Sequence, residues 1–430
     1  MQIIRACLTG LGIALSTWVT FLALYQLILG FFGFTRKTKD YADHDPESRF
    51  LVLVPAHNEE RVISDIVRNL QQMDYPKELY DFYVIADNCT DSTAQTARDL
   101  GAKVIETRSL PGEAVGKPVA LKKALDAIGD YQKKYDLMMI FDADNLMDTN
   151  MFREVNSQYI DKGKPDLIQC YLGVKNKQGV VAWFDYVAFT LSNRFFMLAK
   201  HRMGVNAAIG GTGYAITTSY LAERGGWSTM SLTEDFEIQV EATLEGRRIL
   251  WNHTTRVYDE KPTSLRASIR QKIRWGQGYW YVISHNMGRL WRSFLTGELR
   301  FLEFISILTH MCNITAYPCL ILQALLNAAL LIINRAVPFA DVTVTSVLWG
   351  AAMVMYSYMF LFFMADWRDN HIRFTVKRLP IMIAGFFTNM LACFCNQIFG
   401  LLRCRDQGHW AKTEHGLSVS RNQAAPPSTV

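Results

Sequence analysis

Four uncharged apolar segments constrain the fold of this chain more than any other feature of its sequence. Each is long enough to cross the ~30 Å hydrocarbon core of a bilayer, which takes about 20 helical residues. Soluble helices rarely run that far without a charge, so we expect these segments to be inserted in a membrane. They are Leu8 to Phe32, Phe304 to Asn334, Val342 to Ala365 and Leu379 to Leu402.

The first apolar segment fits a membrane anchor better than a cleaved signal peptide. It is too long for a signal peptide, and no small-x-small cleavage site closes it. Arg36, Lys37 and Lys39 follow it, and basic residues favour the cytoplasmic side of a membrane. We therefore expect an integral protein of the cell membrane whose middle region is cytoplasmic.

Charge and cysteine usage exclude two other classes of protein. The net charge of +5 over 430 residues is small and is partly explained by basic residues beside apolar segments, so we expect no nucleic-acid partner. The eight cysteines have neither disulfide-like pairing nor zinc-ligand spacing. We expect free thiols.

The region after the first segment alternates between strand and helix patterns. Such alternation predicts an α/β domain with a mostly parallel sheet and helices on both faces. A capping box at Ser92 and Gln95 is expected to open the second helix. The predicted strands are Phe50 to Val54, Asp81 to Ala86, Ala102 to Glu106 and Leu137 to Phe141, and the predicted helices are Val62 to Gln72, one from Thr93, and Pro118 to Ile128.

Polar residues follow these strands directly, at the edge where ligands bind in open α/β sheets. Pro55, His57 and Glu59 come after the first strand, and Asp87 comes after the second. Asp142-Ala-Asp144 follows the fourth. Two carboxylates one residue apart suit Mg²⁺ or Mn²⁺ bridging a diphosphate, although Asp-x-Asp is also common in ordinary turns.

Three further motifs have both structural and functional interpretations. Thr233-Glu234-Asp235 opens a helix to Glu245 and could simply cap it. Gly210 to Gly213 could be a tight turn or a place where the backbone approaches a ligand. Gln271, Arg274 and Trp275 lie on a predicted helix and could bind phosphate and sugar, or could mark a helix at the membrane interface.

Two mixed aromatic stretches could dock the middle region on the bilayer. They are Val180 to Lys200 and Leu295 to Phe304. Each is either an ordinary core-facing helix or an amphipathic helix in the membrane interface.

Five motifs in order make the chain resemble the family 2 glycosyltransferases, in particular the membrane-integrated processive synthases of cellulose, chitin and hyaluronan. The resemblance covers Phe50 to Trp280 and implies a GT-A-type nucleotide-binding domain flanked by transmembrane and amphipathic interface helices. The motifs are VPAHNEE (Val54 to Glu60), ADNCTD (Ala86 to Asp91), FDADN (Phe141 to Asn145), LTEDFE (Leu232 to Glu237) and QKIRW (Gln271 to Trp275).

The resemblance implies a role for each matched residue. Asp235 would be the catalytic base, beside Glu234, while Asp142 and Asp144 would hold donor and metal. The nucleotide-sugar would be bound by Pro55, Ala56, His57, Glu59, Asp87, Lys117 and Asp142, and the acceptor and diphosphate by Gln271, Arg274 and Trp275.

These roles predict an inverting transfer from a UDP-sugar, with glucose as the expected sugar, to a growing β-linked polysaccharide. Transfer would be processive and coupled to passage of the product through the membrane. One alternative is a non-processive enzyme that makes a glycolipid or a lipid-linked sugar. Another is a non-catalytic membrane scaffold or transporter component. The expected partners are a UDP-sugar, a glycan acceptor and the bilayer, with Mg²⁺ or Mn²⁺ as cofactor.

The expected organisation is a transmembrane helix over 1–34, a cytoplasmic catalytic domain over 48–285, an interface helix and transmembrane helices over 286–404, and a polar, partly disordered tail over 405–430. The last apolar segment conflicts with the charges. If Leu379 to Leu402 crosses the membrane, the tail lies outside, yet Arg403, Arg405 and Lys412 favour the inside. The segment is therefore interfacial or re-entrant, or Phe304 to Asn334, which contains Pro318, is not one simple span.

Overall fold

The computed structural model describes residues 2–110, 112–315, 359–372 and 375–407, together with a few positions between 319 and 329. Most of the predicted segment Val342 to Ala365 lies outside these residues, as do much of the second half of Phe304 to Asn334 and the tail from 408 onward.

The elements follow one another in a strand and helix alternation after one long N-terminal helix. The strands are β1 Phe50–Ala56, β2 Tyr80–Asp87, β3 Lys103–Thr107, β4 Leu137–Ile140, β5 Leu146–Met147, β6 Leu167–Val174, β7 Tyr214–Thr217 and β8 Ile249–Asp259. The helices up to β8 are α1 Gln2–Phe32, α2 Ile63–Gln71, α3 Thr93–Asp99, α4 Lys117–Ile128, α5 Tyr131–Lys134, α6 Met151–Asp161, α7 Gly179–Ser192, α8 Ala199–Met203, α9 Thr218–Glu223 and α10 Glu234–Leu244.

The described C-terminal part consists mainly of helices. Its helices are α11 Leu265–Leu295, α12 Phe301–Cys312, α13 over 359–370 and α14 Leu379–Leu402. Short 3₁₀ turns lie at Lys77–Leu79, Asn313–Thr315 and Val376–Arg378, and a π-helical segment, Asn193–Leu198, joins α7 to α8.

The eight strands form one sheet in the order β3-β2-β1-β4-β7-β6-β8-β5. The first four strands pair in parallel, whereas β7 is antiparallel to both of its neighbours and β5 is antiparallel to β8. The β6–β8 pair is parallel again. Parallel pairing therefore predominates, as predicted, but the second half of the sheet is mixed.

All four predicted strands are present, with ends shifted by two residues at most. The β1 residues from Phe50 to Val54 are fully buried, which explains why they form a continuous apolar run instead of an alternating one. Phe50 stacks on Phe152 of α6, with ring centroids 5.0 Å apart. Each such buried ring contributes about 1.5–3 kcal/mol of hydrophobic stabilisation.

The predicted capping box at the start of α3 is wrong. Ser92 makes no side-chain cap, and the Gln95 amide donates to Asp99 instead. Asp91, one position earlier, accepts hydrogen bonds from both the backbone nitrogen and the hydroxyl of Thr93. The Thr93 hydroxyl in turn accepts from the backbone nitrogen of Glu59. The loop after β1 therefore determines how this helix begins.

One helix among the described residues is long and apolar enough to span a membrane, over Ala6–Phe32 of α1. Its C-terminal half contacts the α/β domain: Leu29 is buried against Ala199, and Leu22 joins a cluster with Phe236 of α10. Its exposed apolar residues include Leu24, Leu27, Ile28 and Phe31.

Helix α11 runs without a break through the predicted domain boundary at 285. Helix α12, which contains the start of the predicted segment Phe304 to Asn334, packs on α10 and α11 through Phe304, Ile307 and Met311. Of the two mixed stretches, Val180 to Lys200 packs against α13 and α14, where Val187 and Phe362 are buried together. The stretch Leu295 to Phe304 is interrupted between α11 and α12.

Helix α14 lies along the domain at both of its ends. At its start, Arg378 forms an ion pair with Asp366 of α13, 3.0 Å away. Near its end, Gly400 meets the backbone of Gly276 in α11, where a Cβ atom on Gly400 would lie 2.8 Å from the Gly276 Cα. Glycines at this crossing allow the two helix backbones to approach closely.

Candidate active site

Two of the predicted site residues meet where β1 and β2 end, and we call them the strand-end pair, His57 and Asp87. The His57 Nδ1 lies 2.7 Å from the backbone oxygen of Asp87. A carbonyl oxygen can only accept, so Nδ1 carries the proton and Nε2 is left as an acceptor.

Hydrogen bonds within the protein hold the Asp87 carboxylate in place. It is only 6% exposed, and its Oδ1 accepts from Thr107 at 2.7 Å and from the amide of Asn88 at 3.0 Å. Asn88 adopts a positive φ of 48°, which turns the chain sharply after β2. Pro55 and Ala56 form the end of β1 itself, and Glu59 is buried one turn away.

A second group of predicted residues gathers around one lysine, and we call it the acidic cluster: Asp142, Glu234 and Asp235 with Lys117 and Arg274. The Lys117 Nζ lies 2.8 Å from Asp142, 3.4 Å from Glu234 and 2.6 Å from the backbone oxygen of Gly211. Burial alone would lower the pKa of Lys117, but Asp142 and Glu234 outweigh burial and hold it above its usual value. Lys117 is therefore a fixed positive charge.

Asp235 is the group in the cluster that is poised to titrate near neutrality. Burial, reinforced by the adjacent charge of Glu234, raises the pKa of Asp235 to about 7. It follows Glu234 in the first turn of α10, where exposed backbone N–H groups favour an anion and partly offset this rise.

Arg274 brings the QKIRW motif to the same cluster from α11. Burial lowers the pKa of Arg274, while the charges of Glu234, Asp142 and Asp235 oppose this change. Gln271 lies one helical turn earlier, and its Oε1 is buried with no hydrogen-bond partner among the described residues. The Trp275 ring is half-buried beside Lys272, whose Nζ lies 5.9 Å from the ring centre.

The donor set around Asp142 and Asp144 fits a divalent cation that is shared with a diphosphate. Within the described part of the chain, no three His, Cys, Asp or Glu residues form a complete metal cage. Mg²⁺ commonly needs no such cage, because it takes one or two carboxylates and completes its shell with phosphate oxygens and water. Asp144 accepts at both carboxylate oxygens, from Asn145 and from the backbone nitrogen of Glu260.

An excess of negative charge beside these two carboxylates also favours a cation. Burial raises the pKa of Asp259 to about 6, although Lys261 opposes the change, and Asp144 and Asp142 raise it further. The Asp259 Oδ1 is buried and has no hydrogen-bond partner among the residues that the structure describes.

Other residues that adjoin the cluster were not predicted as site residues. Thr212 accepts from the backbone nitrogen of Asp142 at 3.2 Å and donates to Asn145. Gly211 has a φ of 79°, and a Cβ atom there would lie 3.2 Å from Asp235 Oδ2. Tyr214 is fully buried, and burial and the nearby carboxylates raise its pKa. In the sequence, only the glycine-rich run Gly210 to Gly213 indicated that the backbone comes close to the site here.

Comparison with known proteins agrees with this arrangement. A family model described as glycosyltransferase like family 2 matches residues 46–278, more than half of the chain. A mannosyltransferase from Pyrobaculum calidifontis, solved with GDP-Man and Mn²⁺, superposes with a TM-score of 0.59 at 18% identity, covering 89% of this chain and 99% of that one. At this identity the likeness shows a shared fold.

Two curated relatives have different named products. A beta-monoglucosyldiacylglycerol synthase from Nostoc sp. is 25% identical over 55% of this chain and 51% of its own length. A poly-beta-1,6-N-acetyl-D-glucosamine synthase from Staphylococcus aureus is 23% identical over 60% of this chain and 63% of its own length. The chain therefore spans 51% of the length of the first relative and 63% of the length of the second. The family match over more than half of the chain shows that the chain belongs to glycosyltransferase family 2.

Proposed function

We propose that the chain transfers a sugar from a UDP-sugar to an acceptor hydroxyl with inversion at the anomeric carbon, and that Asp235 is the base. The observation that carries this proposal is the acidic cluster, in which a buried carboxylate with a pKa of about 7 lies beside two fixed cations. A general base works best when its pKa is close to the working pH.

The proposed step is a single displacement. Asp235 takes the proton of the acceptor hydroxyl as that oxygen forms a bond to C1 of the donor sugar. The bond between C1 and the β-phosphate oxygen breaks, and the electron pair leaves with UDP. Lys117 and Arg274 stabilise the negative charge that develops on the leaving diphosphate. Attack from the opposite face turns an α-linked donor into a β-linked product.

Asp142 and Asp144 are the residues that would hold Mg²⁺ or Mn²⁺. When bound there, the cation would neutralise the diphosphate of the donor. The strand-end pair would bind the uridine half, with Asp87 and the His57 Nε2 as acceptors. Pro55, Ala56 and Glu59 would shape the rest of that surface.

The acceptor is proposed to be a growing β-linked polysaccharide that the enzyme extends processively and passes into the membrane. The Staphylococcus aureus relative is a polysaccharide synthase, which supports this choice. Trp275 can stack on the apolar face of a sugar, and the buried Gln271 Oε1 can accept from a sugar hydroxyl. Glucose remains the proposed donor sugar.

The second candidate is a non-processive synthase of a glycolipid. The Nostoc sp. relative, which is a beta-monoglucosyldiacylglycerol synthase, favours it. Both candidates use the same chemistry at Asp235 and differ only in the acceptor, so product size distinguishes them.

We also propose that the catalytic domain is cytoplasmic, that α1 spans the membrane, and that α14 lies in the interface without crossing. Arg194 and Arg256 contact Asp369 and Asn370 of α13, and Arg368 donates to the Phe34 backbone oxygen, so the end of α13 lies on the same side as the domain. Labelling of a single cysteine beyond Leu417, in a cysteine-free background, should occur from the catalytic side; labelling from the opposite side would contradict this topology.

The function is tested by release of the nucleoside diphosphate, UDP or GDP, from three donors: UDP-glucose, UDP-N-acetylglucosamine and GDP-mannose. The assay uses the full-length protein in lipid nanodiscs containing diacylglycerol, with Mn²⁺. We expect UDP release from one UDP-sugar, a long product and loss of activity in EDTA. A product of one or two sugars on lipid would support the glycolipid synthase. Release from none of the donors would contradict the proposal, and full activity in EDTA would remove the metal role of Asp142 and Asp144.

A further inference from the structure

The segment that follows α14 reaches back to the loop carrying Asp235. We call residues Arg403 to Gln407 the C-terminal turn. The Gln407 Oε1 accepts a hydrogen bond of 2.9 Å from the backbone nitrogen of Leu232, three residues before Asp235. The same side chain donates through Nε2 to the backbone oxygens of Gln277, at 3.3 Å, and of Cys404, at 2.7 Å.

A second amide reinforces this contact from the opposite direction. Gln277 lies two residues after Trp275 on α11 and is buried. Its Nε2 donates to the backbone oxygens of Arg403 and Asp406, at 3.3 and 3.4 Å. Gln407 therefore binds the backbone of Gln277, while Gln277 binds the backbone of two other residues of the C-terminal turn, so this turn is fixed to α11.

The loop before α10 also contacts α11. A Cβ atom on Gly278 would lie 2.3 Å from the Thr233 Oγ1, so the backbone of α11 directly contacts that residue. Phe236 stacks on Tyr279 with ring centroids 4.0 Å apart. The start of α10 is thereby held by both α11 and the C-terminal turn.

Gln407 binds the backbone of this loop although it belongs neither to the loop nor to α10. The backbone nitrogens of Met230 and Ser231 donate to Glu237, which belongs to α10 itself. The Leu232 nitrogen, next in line, donates to Gln407. Because the first N–H groups of a helix and its approach have no partners within the helix, an outside acceptor can fix where the helix starts.

We infer that Gln407 is a positioning residue for the loop Leu232 to Asp235 and holds the carboxylate of Asp235 at the acceptor. This inference rests on the proposed function, because it assigns Gln407 an effect on the base. It also gives α14 a role in the reaction, since the C-terminal turn is the direct continuation of that helix.

The test compares three variants of the full-length protein, assayed by UDP release with UDP-glucose or, if the donor panel selects it, UDP-N-acetylglucosamine. Gln407→Leu removes both the acceptor and the donor, and we expect kcat to fall about tenfold with the donor KM within about twofold of wild type. Gln407→Glu keeps an acceptor for the Leu232 nitrogen, so it should retain more of kcat than the leucine variant. Arg405→Ala, an exposed position in the same turn, should behave as wild type.

A purely structural role would lower the active fraction in all Gln407 variants and would not separate glutamate from leucine. The inference is overturned if Gln407→Leu keeps the wild-type kcat, if glutamate is no better than leucine, or if Arg405→Ala loses as much. Asp235→Asn, measured in parallel, separates the two levels of the account. If Asp235→Asn is inactive and Gln407→Leu is normal, only the positioning role fails; if Asp235→Asn is active, the proposed base fails.

Discussion

The strand-end pair and the acidic cluster lie at the same sheet but differ in what surrounds their carboxylates. In the strand-end pair, Asp87 is surrounded by donors, and a backbone carbonyl fixes His57. In the acidic cluster, three carboxylates share two cations, and burial with like charge raises the pKa of Asp235 to about 7. The first arrangement suits binding, because the protein holds its acceptor groups in fixed positions. The second suits chemistry, because one of its carboxyl groups has a pKa near neutrality.

The two regions should therefore differ in whether a substitution changes kcat or KM. Substitutions in the acidic cluster should change the rate of transfer while the donor still binds. Substitutions in the strand-end pair should weaken donor binding while the bound complex reacts normally.

The largest effect is expected for Asp235→Asn, which removes the base but keeps the shape of the side chain. We expect kcat to fall about 10³-fold, in the range of a lost general base, with UDP affinity unchanged by titration calorimetry. Glu298→Gln, which changes an exposed carboxylate outside the cluster, is the control. Near-normal transfer by the Asp235 variant would show that the cluster does not contain the base.

The next effect is expected for Arg274→Lys. An ammonium group cannot reproduce the fork of a guanidinium on a diphosphate, so kcat should fall about a hundredfold while the product is unchanged. Arg270→Lys, one turn earlier and exposed, should be close to wild type. Equal losses in both variants would mean that α11 is sensitive to any change in these arginines.

The pH dependence of kcat should show the raised pKa of Asp235. A base must be deprotonated, so kcat should rise with pH through about 7 and be about tenfold below its plateau one unit lower. The measurement is UDP release at saturating donor from pH 5.5 to 8.5. A kcat that stays constant from pH 5.5 to 8.5 would contradict a raised pKa for the base.

A smaller effect, on the donor KM instead of kcat, is expected for Asp87→Asn. Loss of the charge in the strand-end pair should raise the donor KM about tenfold at constant kcat, since a charged hydrogen bond is worth about 1.5–3 kcal/mol. A lower kcat with unchanged KM would erase the distinction between the two regions.

The smallest effect concerns stability. A carboxyl whose folded pKa is raised favours the folded state at low pH and loses that contribution as pH rises through about 7. Because the unfolded carboxyl ionises at about pH 4, part of this contribution is already lost at pH 5. Asp235→Asn should therefore raise Tm by a few degrees at pH 8 and by less at pH 5. Differential scanning fluorimetry at both values checks this, and a lower Tm at pH 8 would contradict it.

The sequence predicted the strand-end side of the sheet better than the rest. Strands β1, β2 and β4 are short, largely apolar runs that polar residues follow directly, so the sequence pattern was enough to predict the strands and the polar residues at their ends. The capping box failed because Asp91 accepts from Thr93 at the start of α3, while the Thr93 hydroxyl accepts from the backbone nitrogen of Glu59 in the loop after β1. The contact between Thr93 and Glu59 spans over thirty residues and leaves no local pattern.

Contacts across long separations were the part that sequence patterns could not give. The Thr212 hydroxyl accepts from the backbone of Asp142, 70 residues away in sequence. Gln407 contacts Leu232 because α14, which appears in the sequence only as an apolar segment, brings it there. The apolar composition of α14 indicated a membrane environment. It did not indicate that Gly400 packs against the backbone of α11. The division of the chain into domains stays a prediction.

The most direct test of the account is the anomeric configuration of the product, read by proton NMR from the purified full-length protein with its preferred α-linked UDP-sugar. A single displacement with Asp235 as base predicts a β-linkage. An α-linkage would contradict the account, because retention cannot be reached by one attack from the opposite face.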